Sequence, residues 1–300
     1  MKTQFDSIVN VSAIGQFGIS DLNPIIAMAA QENLSPAIMD GKRTLLLLID
    51  PQKDFTNPDG ALSVPGAVGD VERICRFIYR KGEEITTIMA SLDTHKVFQI
   101  FHAAWWTNAN GENPAPYTLI TSEDIAKGIW RPAFGNPRLS IDYVNELEKG
   151  GKKVLCIWPY HCLIGSEGFG IENELFKMIT FHSTARKTVF KTVEKGKDPY
   201  SEMYGFIRPE YSKANILNTA VLNEIENYDV IYVAGEAASH CLMESVAQII
   251  EYFKNRPEIL QKIVILRDCT SPIPSYEAAT EAAFKQFEAY GIKFMDSTAA

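Results

Sequence analysis

Short aliphatic segments that end at a polar residue or a glycine recur along the chain, which is the pattern of strands buried on both faces of a parallel sheet. Four segments share it: residues 44–50, 85–93, 229–235 and 263–268. A fifth, 153–158, fits the same template. Amphipathic helical periods lie between and after them, at 68–81, at 141–149 and after Cys241. Strands that alternate with helices predict an α/β fold, a three-layer α/β/α sandwich with a mainly parallel central sheet.

Two regions fall outside this alternation. Residues 1–42 precede the first predicted strand, and we expect them to form an N-terminal arm that folds back or crosses to a neighbouring subunit. Residues 103–139 are rich in Trp, Asn, Gly and Pro and are too long for a simple connection. They are either a surface excursion with aromatic anchors or a binding wall. We therefore predict one domain over residues 43–300, with an insertion at about 103–139.

The composition is that of an ordinary folded protein, with 46% hydrophobic and 22% charged residues among 300. The formal net charge is −8, and no basic run is present, which argues against nucleic acid and anionic membranes as partners. The longest aliphatic run, residues 45–49, is too short to span a bilayer, and residues 1–16 lack the apolar core of a signal peptide. We expect a cytoplasmic protein.

Five cysteines are scattered along the chain without CxxC spacing, which argues against a disulfide framework and leaves open one reactive thiol. Cys75 and Cys156 lie in apolar segments and are expected in the core, whereas the position of Cys269 is ambiguous. Cys241 differs from these because Ser239 is a plausible N-cap for the helix that follows. The first turn of a helix stabilises a thiolate, so we expect a lowered pKa for Cys241.

Polar residues follow several of the predicted strands, at the edge where ligands bind in open parallel sheets. Asp50 ends the first strand, Asp93 and His95 follow the second, and His161 follows the segment 153–158. One carboxylate and two imidazoles suit a zinc or iron site with open positions. The spacing alone also fits a surface turn with incidental histidines.

Taken in order, these motifs resemble the nicotinamidase and isochorismatase-like cysteine hydrolase superfamily over roughly residues 43–295. The motifs are LLLLIDPQKDF with GALSVPGA, the Asp-Thr-His at 93–95, WPYHC at 158–162, VFK at 189–191 before DPYSEMYGF, and VAGEAASHCLMESVAQ at 233–248. The Asp-Thr-His and WPYHC motifs are similar to those of the nicotinamidase branch in particular. The resemblance implies the isochorismatase-like hydrolase fold.

The resemblance also implies roles for individual residues. Cys241 is expected to be the nucleophile, Asp50 the base that takes its proton, and Lys191 the cation that holds the pair. The oxyanion hole is expected to consist of backbone N–H groups of Cys241 and Ala237, with a cis peptide bond between Glu236 and Ala237.

For the metal, the resemblance implies one divalent transition metal, zinc or iron, on Asp93, His95 and His161. A further family histidine is replaced in simple counting by Gln99, and the resemblance leaves open whether Gln99 or His102 joins the site.

The side chains expected to bind the substrate are Phe55, Trp158 and His240. The implied activity is hydrolysis of a linear amide, nicotinamide to nicotinate and ammonia, through a thioester in pyridine nucleotide metabolism. Relatives commonly form homo-oligomers.

Two other functions stay open. One is a metal-independent isochorismatase-like or carbamoyl-amide hydrolase with another substrate. The other is a non-catalytic binding protein, which is least favoured because the three implied catalytic residues are present.

Overall fold

A computed structural model describes residues 1–18, 20–149 and 153–300 of the protein. Its strands are β1 (Thr44–Ile49), β2 (Thr87–Asp93), β3 (Trp106–Thr107), β4 (Leu119–Ile120), β5 (Arg131–Pro132), β6 (Leu155–Cys156), β7 (Lys191–Lys195), β8 (Val230–Gly235), β9 (Ile263–Leu266) and β10 (Lys293–Met295). Six of them form a parallel sheet in the order β10-β9-β8-β1-β2-β7. The strands β3 with β5 and β4 with β6 form two small antiparallel pairs.

Helices cover both faces of the central sheet. The helices of the described residues are α1 (Phe5–Ile8), α2 (Asn23–Ala29), α3 (Lys53–Thr56), α4 (Ala67–Lys81), α5 (Ser122–Ala126), α6 (Pro137–Lys149), α7 (Asn173–Ala185), α8 (Thr219–Glu226), α9 (Met243–Phe253), α10 (Pro257–Leu260) and α11 (Glu277–Ala289), of which α5 and α6 pack away from the central sheet. No helix within the described ranges is long and apolar enough to cross a membrane.

The central strand β1 shows why the fold has three layers. Successive side chains of a strand point to opposite faces. Leu45, Leu47 and Ile49 pack with α8, α9 and α11, whereas Leu46 and Leu48 pack with α4 and α7. Each fully buried leucine contributes about 1.5 to 3 kcal/mol relative to exposure. The predicted α/β/α sandwich with a parallel sheet is confirmed.

The fifth predicted strand is wrong as a member of this sheet. Within 153–158 only Leu155–Cys156 is a strand, and it pairs with β4 of the insertion. Leu155 and Ile157 are buried in a separate hydrophobic cluster with Trp105 and Trp106 of the insertion, which explains the apolar pattern. The place beside β2 belongs to β7, which the aliphatic pattern does not single out because only Val193 and Lys195 of it are buried.

Residues of the arm fold back onto the sheet face covered by α4 and α7. Phe5, Ile8 and Ile25 are buried in the same cluster as Leu46. The Glu32 carboxylate accepts hydrogen bonds from the backbone N–H of Lys2 and Thr3, at 2.7 Å each. These contacts favour an arm that folds back onto its own chain over one that crosses to a neighbouring subunit.

Residues 103–139 pack with α6 and β6 around a hydrophobic cluster that is separate from those of the central sheet. Trp105 and Trp106 are fully buried, and their indole N–H groups donate to Ser140 Oγ (3.0 Å) and to the carbonyl of Ile100 (2.6 Å). Tyr117 contacts Trp158, with ring centroids 6.1 Å apart. The insertion therefore supports a segment that follows it in sequence and that leads into the candidate site.

Candidate active site

Four buried polar side chains converge at the carboxyl edge of the central sheet. Asp50 follows β1, Asp93 ends β2, Lys195 ends β7, and Cys241 lies in the turn after β8. Parallel strands end at the same edge, so their terminal residues meet there although they are far apart in sequence. The ligand atoms of Asp50, Asp93 and Cys241 all lie within 4.8 Å of one another.

Lys195 is the cation of this cluster. Its Nζ atom lies 2.9 Å from Asp50 Oδ2, 2.6 Å from Asp93 Oδ1 and 3.7 Å from Cys241 Sγ, and its side chain is fully buried. Burial opposes the charge, but the two carboxylates outweigh it and raise the pKa of Lys195 well above its usual range. The ammonium is therefore a fixed positive charge beside the thiol.

The prediction that Lys191 holds the nucleophile is wrong. Lys191 begins β7, its side chain is 41% exposed, and it pairs with Glu224 of α8. A strand rises about 3.3 Å per residue, so four residues place Lys191 roughly 13 Å along the strand from Lys195. The signal in the sequence is Gly196, which follows Lys195 and marks the true strand end.

Gly196 is required where the strand end meets the histidines. Its φ is +73°, and a Cβ there would lie 2.8 Å from His95 Nε2. Glycine adopts this conformation without the steric cost of a side chain. A glycine is therefore the residue that lets the chain turn at this point without filling the site.

Cys241 lies in a single π-helical turn, Ala238–Leu242, immediately before α9. Ser239 does not cap α9, contrary to expectation. Its hydroxyl bonds His240 Nδ1 at 2.8 Å and accepts the N–H of Ile273 at 3.0 Å. The turn at the end of β8, rather than a capped first turn, therefore positions the thiol.

The expected low pKa of Cys241 is also contradicted. Burial raises the pKa of the thiol well above its usual range, and Lys195 only partly offsets burial and the nearby Asp50 and Asp93. The thiol is therefore protonated at rest and needs a base.

Asp50 has the position and proton affinity of such a base. Burial raises its pKa, and Lys195 opposes the shift. Ser91 Oγ donates to Asp50 Oδ1 at 2.6 Å, which orients the carboxylate. The backbone of Asp50 has φ = 41°, an uncommon conformation for an L-residue that clusters at functional sites.

Two residues of the LLLLIDPQKDF motif position the neighbours of this cluster. The Gln52 side chain accepts the N–H of Asp93 (2.6 Å) and donates to its carbonyl (2.8 Å). Asp54 Oδ2 accepts the N–H of Cys162 at 2.6 Å, which ties down the loop that carries His161.

Three buried histidines meet beside Asp93. Each bonds a backbone carbonyl through Nδ1: His95 to His161 (3.2 Å), His161 to Pro159 (2.7 Å) and His102 to Lys96 (3.0 Å). Donation through Nδ1 leaves Nε2 with its lone pair, and ligand atoms of the three rings lie within 4.8 Å of one another.

The protonation of these rings fits a cation site. Burial lowers the pKa of His161 to about 3 and that of His102 to about 4, so both are in the neutral form that binds metal. The buried His102 Nε2 has no hydrogen-bond partner. A divalent cation would satisfy it, so the donor set fits a metal.

Asp93 and Gln99 are the other two residues that the sequence offered as metal ligands. Asp93 Oδ1 lies 3.3 Å from His95 Nε2 and also contacts Lys195. The Gln99 amide is occupied, because it donates to the Gly196 carbonyl (2.7 Å) and accepts the N–H of Lys96 (2.8 Å). Of the two residues left open by the sequence, His102 therefore lies in the cluster with its Nε2 available.

A pocket with an empty volume of about 510 Å³, part of it open to solvent, gives access to both clusters. All three predicted substrate-binding residues, Phe55, Trp158 and His240, line it. The peptide bond between Glu236 and Ala237 is cis, and Ala237 and Cys241 both face the pocket. Sequence reasoning missed several lining residues, namely Leu62, Val64, Phe101, Glu202, Met203, Tyr204 and Ile273.

The chain is similar to known nicotinamidases. No family model matches it. The nicotinamidase of Saccharomyces cerevisiae is 20% identical over 252 residues, which are 84% of this chain and 98% of the yeast protein. The crystal structure of the yeast nicotinamidase has a TM-score of 0.58 and covers 85% of this chain and 99% of its own, at 20% identity.

Two further solved structures share the fold. An Acinetobacter nicotinamidase and pyrazinamidase has a TM-score of 0.56 at 16% identity, covering 87% of this chain and 99% of its own. An L. infantum protein in complex with nicotinate has a TM-score of 0.53 at 17% identity, covering 89% and 96%. Together these matches show that the chain has the fold of the nicotinamidases, and the yeast protein matches it over most of both chains.

Proposed function

We propose that the protein is a metal-dependent cysteine amidohydrolase that converts nicotinamide and water into nicotinate and ammonia. The observation that carries the proposal is the position of Lys195 Nζ, in contact with Asp50, Asp93 and Cys241 beside the three histidines. A nucleophile, a base and a fixed cation at one pocket are what amide hydrolysis through a covalent intermediate requires.

In the first half-reaction, Asp50 takes the proton from Cys241 Sγ and the thiolate attacks the amide carbon. Lys195 stabilises the negative charge shared by the thiolate and the carboxylates. The backbone N–H groups of Ala237 and Cys241 donate to the oxyanion. Asp50 then returns the proton to the amide nitrogen, the C–N bond breaks, ammonia leaves and a thioester remains.

In the second half-reaction, Asp50 takes a proton from water, and the water oxygen attacks the thioester carbon. The C–S bond breaks and Cys241 is released as a thiol after reprotonation. The products are the carboxylic acid and the restored enzyme.

The residues proposed to hold the metal are Asp93, His95, His161 and His102. A zinc or iron ion bound there would act as a Lewis acid toward the ring nitrogen of the substrate. Phe55, Trp158 and His240 are proposed to enclose the ring, since they line the same pocket.

Cys241→Ala tests the proposal. We expect ammonia release from nicotinamide to fall by at least about 1,000-fold, because no nucleophile remains to form the thioester. A coupled assay measures the rate of ammonia release. Unchanged metal content and nicotinamide binding show that the site of the variant is intact. Ammonia release at the wild-type rate in this variant would refute a cysteine mechanism.

The metal-independent alternative predicts a different metal content. Purified without added metal, the protein is expected to contain about one transition metal per chain, and His161→Ala should lose it. His240→Ala is the matched control, since His240 also lines the pocket but bonds Ser239 and is not one of the three clustered histidines. Full activity in rigorously metal-free protein would favour the alternative.

A cytoplasmic location and a homo-oligomeric state stay predictions. All five cysteines carry free thiols, which supports a reducing compartment.

A further inference from the structure

Glu202 is a buried carboxyl group at the pocket wall that the mechanism does not use. Its Oε1 atom accepts the indole N–H of Trp158 at 2.7 Å and the hydroxyl of Tyr204 at 2.6 Å. The Trp158 N–H also reaches the Tyr204 hydroxyl at 3.2 Å. Three polar groups of the wall thus form one closed hydrogen-bonded set.

The other side of Glu202 faces α6, in the hydrophobic cluster that α6 shares with the insertion. Tyr143, fully buried there, has its hydroxyl 3.4 Å from Glu202 Oε2 and accepts the Glu202 backbone N–H at 3.1 Å. The carboxyl group is therefore anchored on rigid structure at one end and holds the pocket wall at the other.

Tyr204 is fixed from a further direction. The ammonium of Lys153 lies 4.2 Å from the centre of the Tyr204 ring and pairs with Glu210 (2.9 Å) and Glu244 (3.1 Å). Glu210 belongs to this outer ion pair and its Oε1 atom accepts the backbone N–H of Tyr204 at 3.4 Å, but its side chain makes no hydrogen bond to Trp158 or to Glu202 among the described contacts. Glu210→Gln keeps an acceptor for that N–H and removes the charge, so it is a control for effects of charge.

Trp158 is the side chain on which this set acts. It lines the pocket with Cys241, and its ring lies 6.0 Å from the ring of His240. An indole whose N–H is held at 2.7 Å has little freedom to rotate about its side-chain bonds. A wall that is fixed before the ligand arrives saves the entropy cost of ordering it on binding.

We propose that Glu202 is a positioning residue that holds the Trp158 indole as a rigid wall and so favours planar aromatic amides over aliphatic ones. The inference rests on the proposed function, because it takes the substrate to be an aromatic amide. Glu202 acts through Trp158 and does not contact the reacting atoms.

The charge of Glu202 is not needed for this role. Burial raises its pKa to about 7, against the hydrogen bonds from Tyr204 and Trp158, so a neutral form is accessible near neutral pH. The oxygen of a glutamine side chain can accept the same two donors, and its NH2 group can donate to Tyr143. Glu202→Gln should therefore preserve the wall, whereas Glu202→Ala should release it.

The test measures binding and turnover separately. In metal-loaded Cys241→Ala protein, we expect calorimetry to show about tenfold weaker nicotinamide binding after Glu202→Ala and a change of less than about twofold after Glu202→Gln. In protein with Cys241 intact, Glu202→Ala should raise KM for nicotinamide more than it lowers kcat. Activity toward propionamide, which has no ring to contact Trp158, should change by less than about threefold.

Glu210→Gln is the matched control and should leave nicotinamide binding unchanged. Equal loss toward nicotinamide and propionamide in Glu202→Ala, or failure of Glu202→Gln to restore binding, would overturn the proposal. If Glu202→Ala does not fold, Trp158→Phe removes the other partner of the same hydrogen bond, and unchanged nicotinamide binding in that variant would overturn it.

The two hypotheses fail in different ways. If wild-type protein binds nicotinamide with an affinity that depends on Glu202 but never hydrolyses it, the proposed function alone is refuted. If wild-type protein hydrolyses nicotinamide but the Glu202→Ala variant binds it with the same affinity as wild type, this inference alone is refuted. Absence of nicotinamide binding to metal-loaded protein would refute both.

Discussion

Lys191 and Lys195 lie on one strand but differ in burial and in the charged groups around them. Lys195 is enclosed by two carboxylates and a thiol, whereas Lys191 forms a half-exposed ion pair. Both are lysines of the same edge strand, so residue type and approximate position cannot separate them. The distinguishing fact is where the strand ends, and its boundary is the weakest part of a pattern-based prediction.

The pair therefore offers a direct test at the residue scale. Lys195→Gln should lower kcat/KM by about 1,000-fold or more, because it removes the charge that stabilises the thiolate. It should also destabilise the fold by about 3 to 5 kcal/mol, because two buried carboxylates lose their partner. Kinetics and urea unfolding measure the two effects.

Lys191→Gln is the control and should change activity by less than about twofold and stability by less than about 1 kcal/mol, as for an exposed ion pair. A large loss of activity in this variant would contradict the assignment of Lys195.

Sequence reasoning reached several site residues because strand ends and motif order both point to them. Asp50, Asp93, His95 and Cys241 lie where parallel strands end, and the structure brings them together. Glu202 was beyond reach, because its partner Trp158 is 44 residues away and reaches it through loops. A hydrogen bond between a buried carboxyl group and an indole depends on side-chain packing, which the hydrophobic periodicity of a sequence does not predict.

At the scale of elements, β6 and β7 show how burial can mislead a strand prediction. Apolar residues at 155 and 157 pack against the insertion, so the segment has the composition of a core strand without joining the main sheet. The edge strand β7 alternates buried and exposed residues and has the weaker pattern. Hydrophobicity reports burial, but it does not report which core the residue enters.

The helix α2 allows a test of whether the arm belongs to the folded domain. Ile25 is 5% exposed and Ile26 is 42% exposed, so adjacent residues of one helix differ mainly in packing. Ile25→Ala should lower the free energy of unfolding by about 2 to 5 kcal/mol, because it leaves a cavity in the buried cluster where α2 packs against α7.

Ile26→Ala should cost less than about 1 kcal/mol, as is usual for a surface position. Denaturant unfolding of the two variants decides the question, since equal effects would mean that the arm is not packed as described.

At the scale of the whole molecule, the burial of histidines contributes to the loss of stability in acid. Four of the five histidines are buried and His240 is half-buried, and the pKa of four of the five is lowered: His102, His161, His182 and His240. His182 lies on α7, away from the pocket, where it bonds the carbonyl of Ile85. Burial lowers its pKa to about 4 from an ordinary value near 6.5.

The sign of the effect follows from proton binding. Below pH 6.5 the unfolded chain binds a proton at His182 that the folded protein does not, so stability is present above pH 6.5 and falls toward pH 4. Between pH 7 and 4.5 the loss is roughly 2 to 3 kcal/mol for this residue. Urea unfolding of wild type and His182→Gln should show a stability difference that shifts by this amount in favour of the variant at pH 4.5. A difference that is constant with pH would contradict the shifted pKa.

The contacts of the arm with α7 have a consequence for how the protein is made. The N–H of Asn10 bonds Glu174, 164 residues later, and the N–H of Gly15 bonds Glu172, 157 residues later. Chains are synthesised from the N-terminus at about 5 to 20 residues per second, so the arm waits roughly 10 to 30 seconds for its partners. Contacts of such separation also slow folding in general. Residues 10 and 15 therefore reach their final positions only after residues 172–174 have been made.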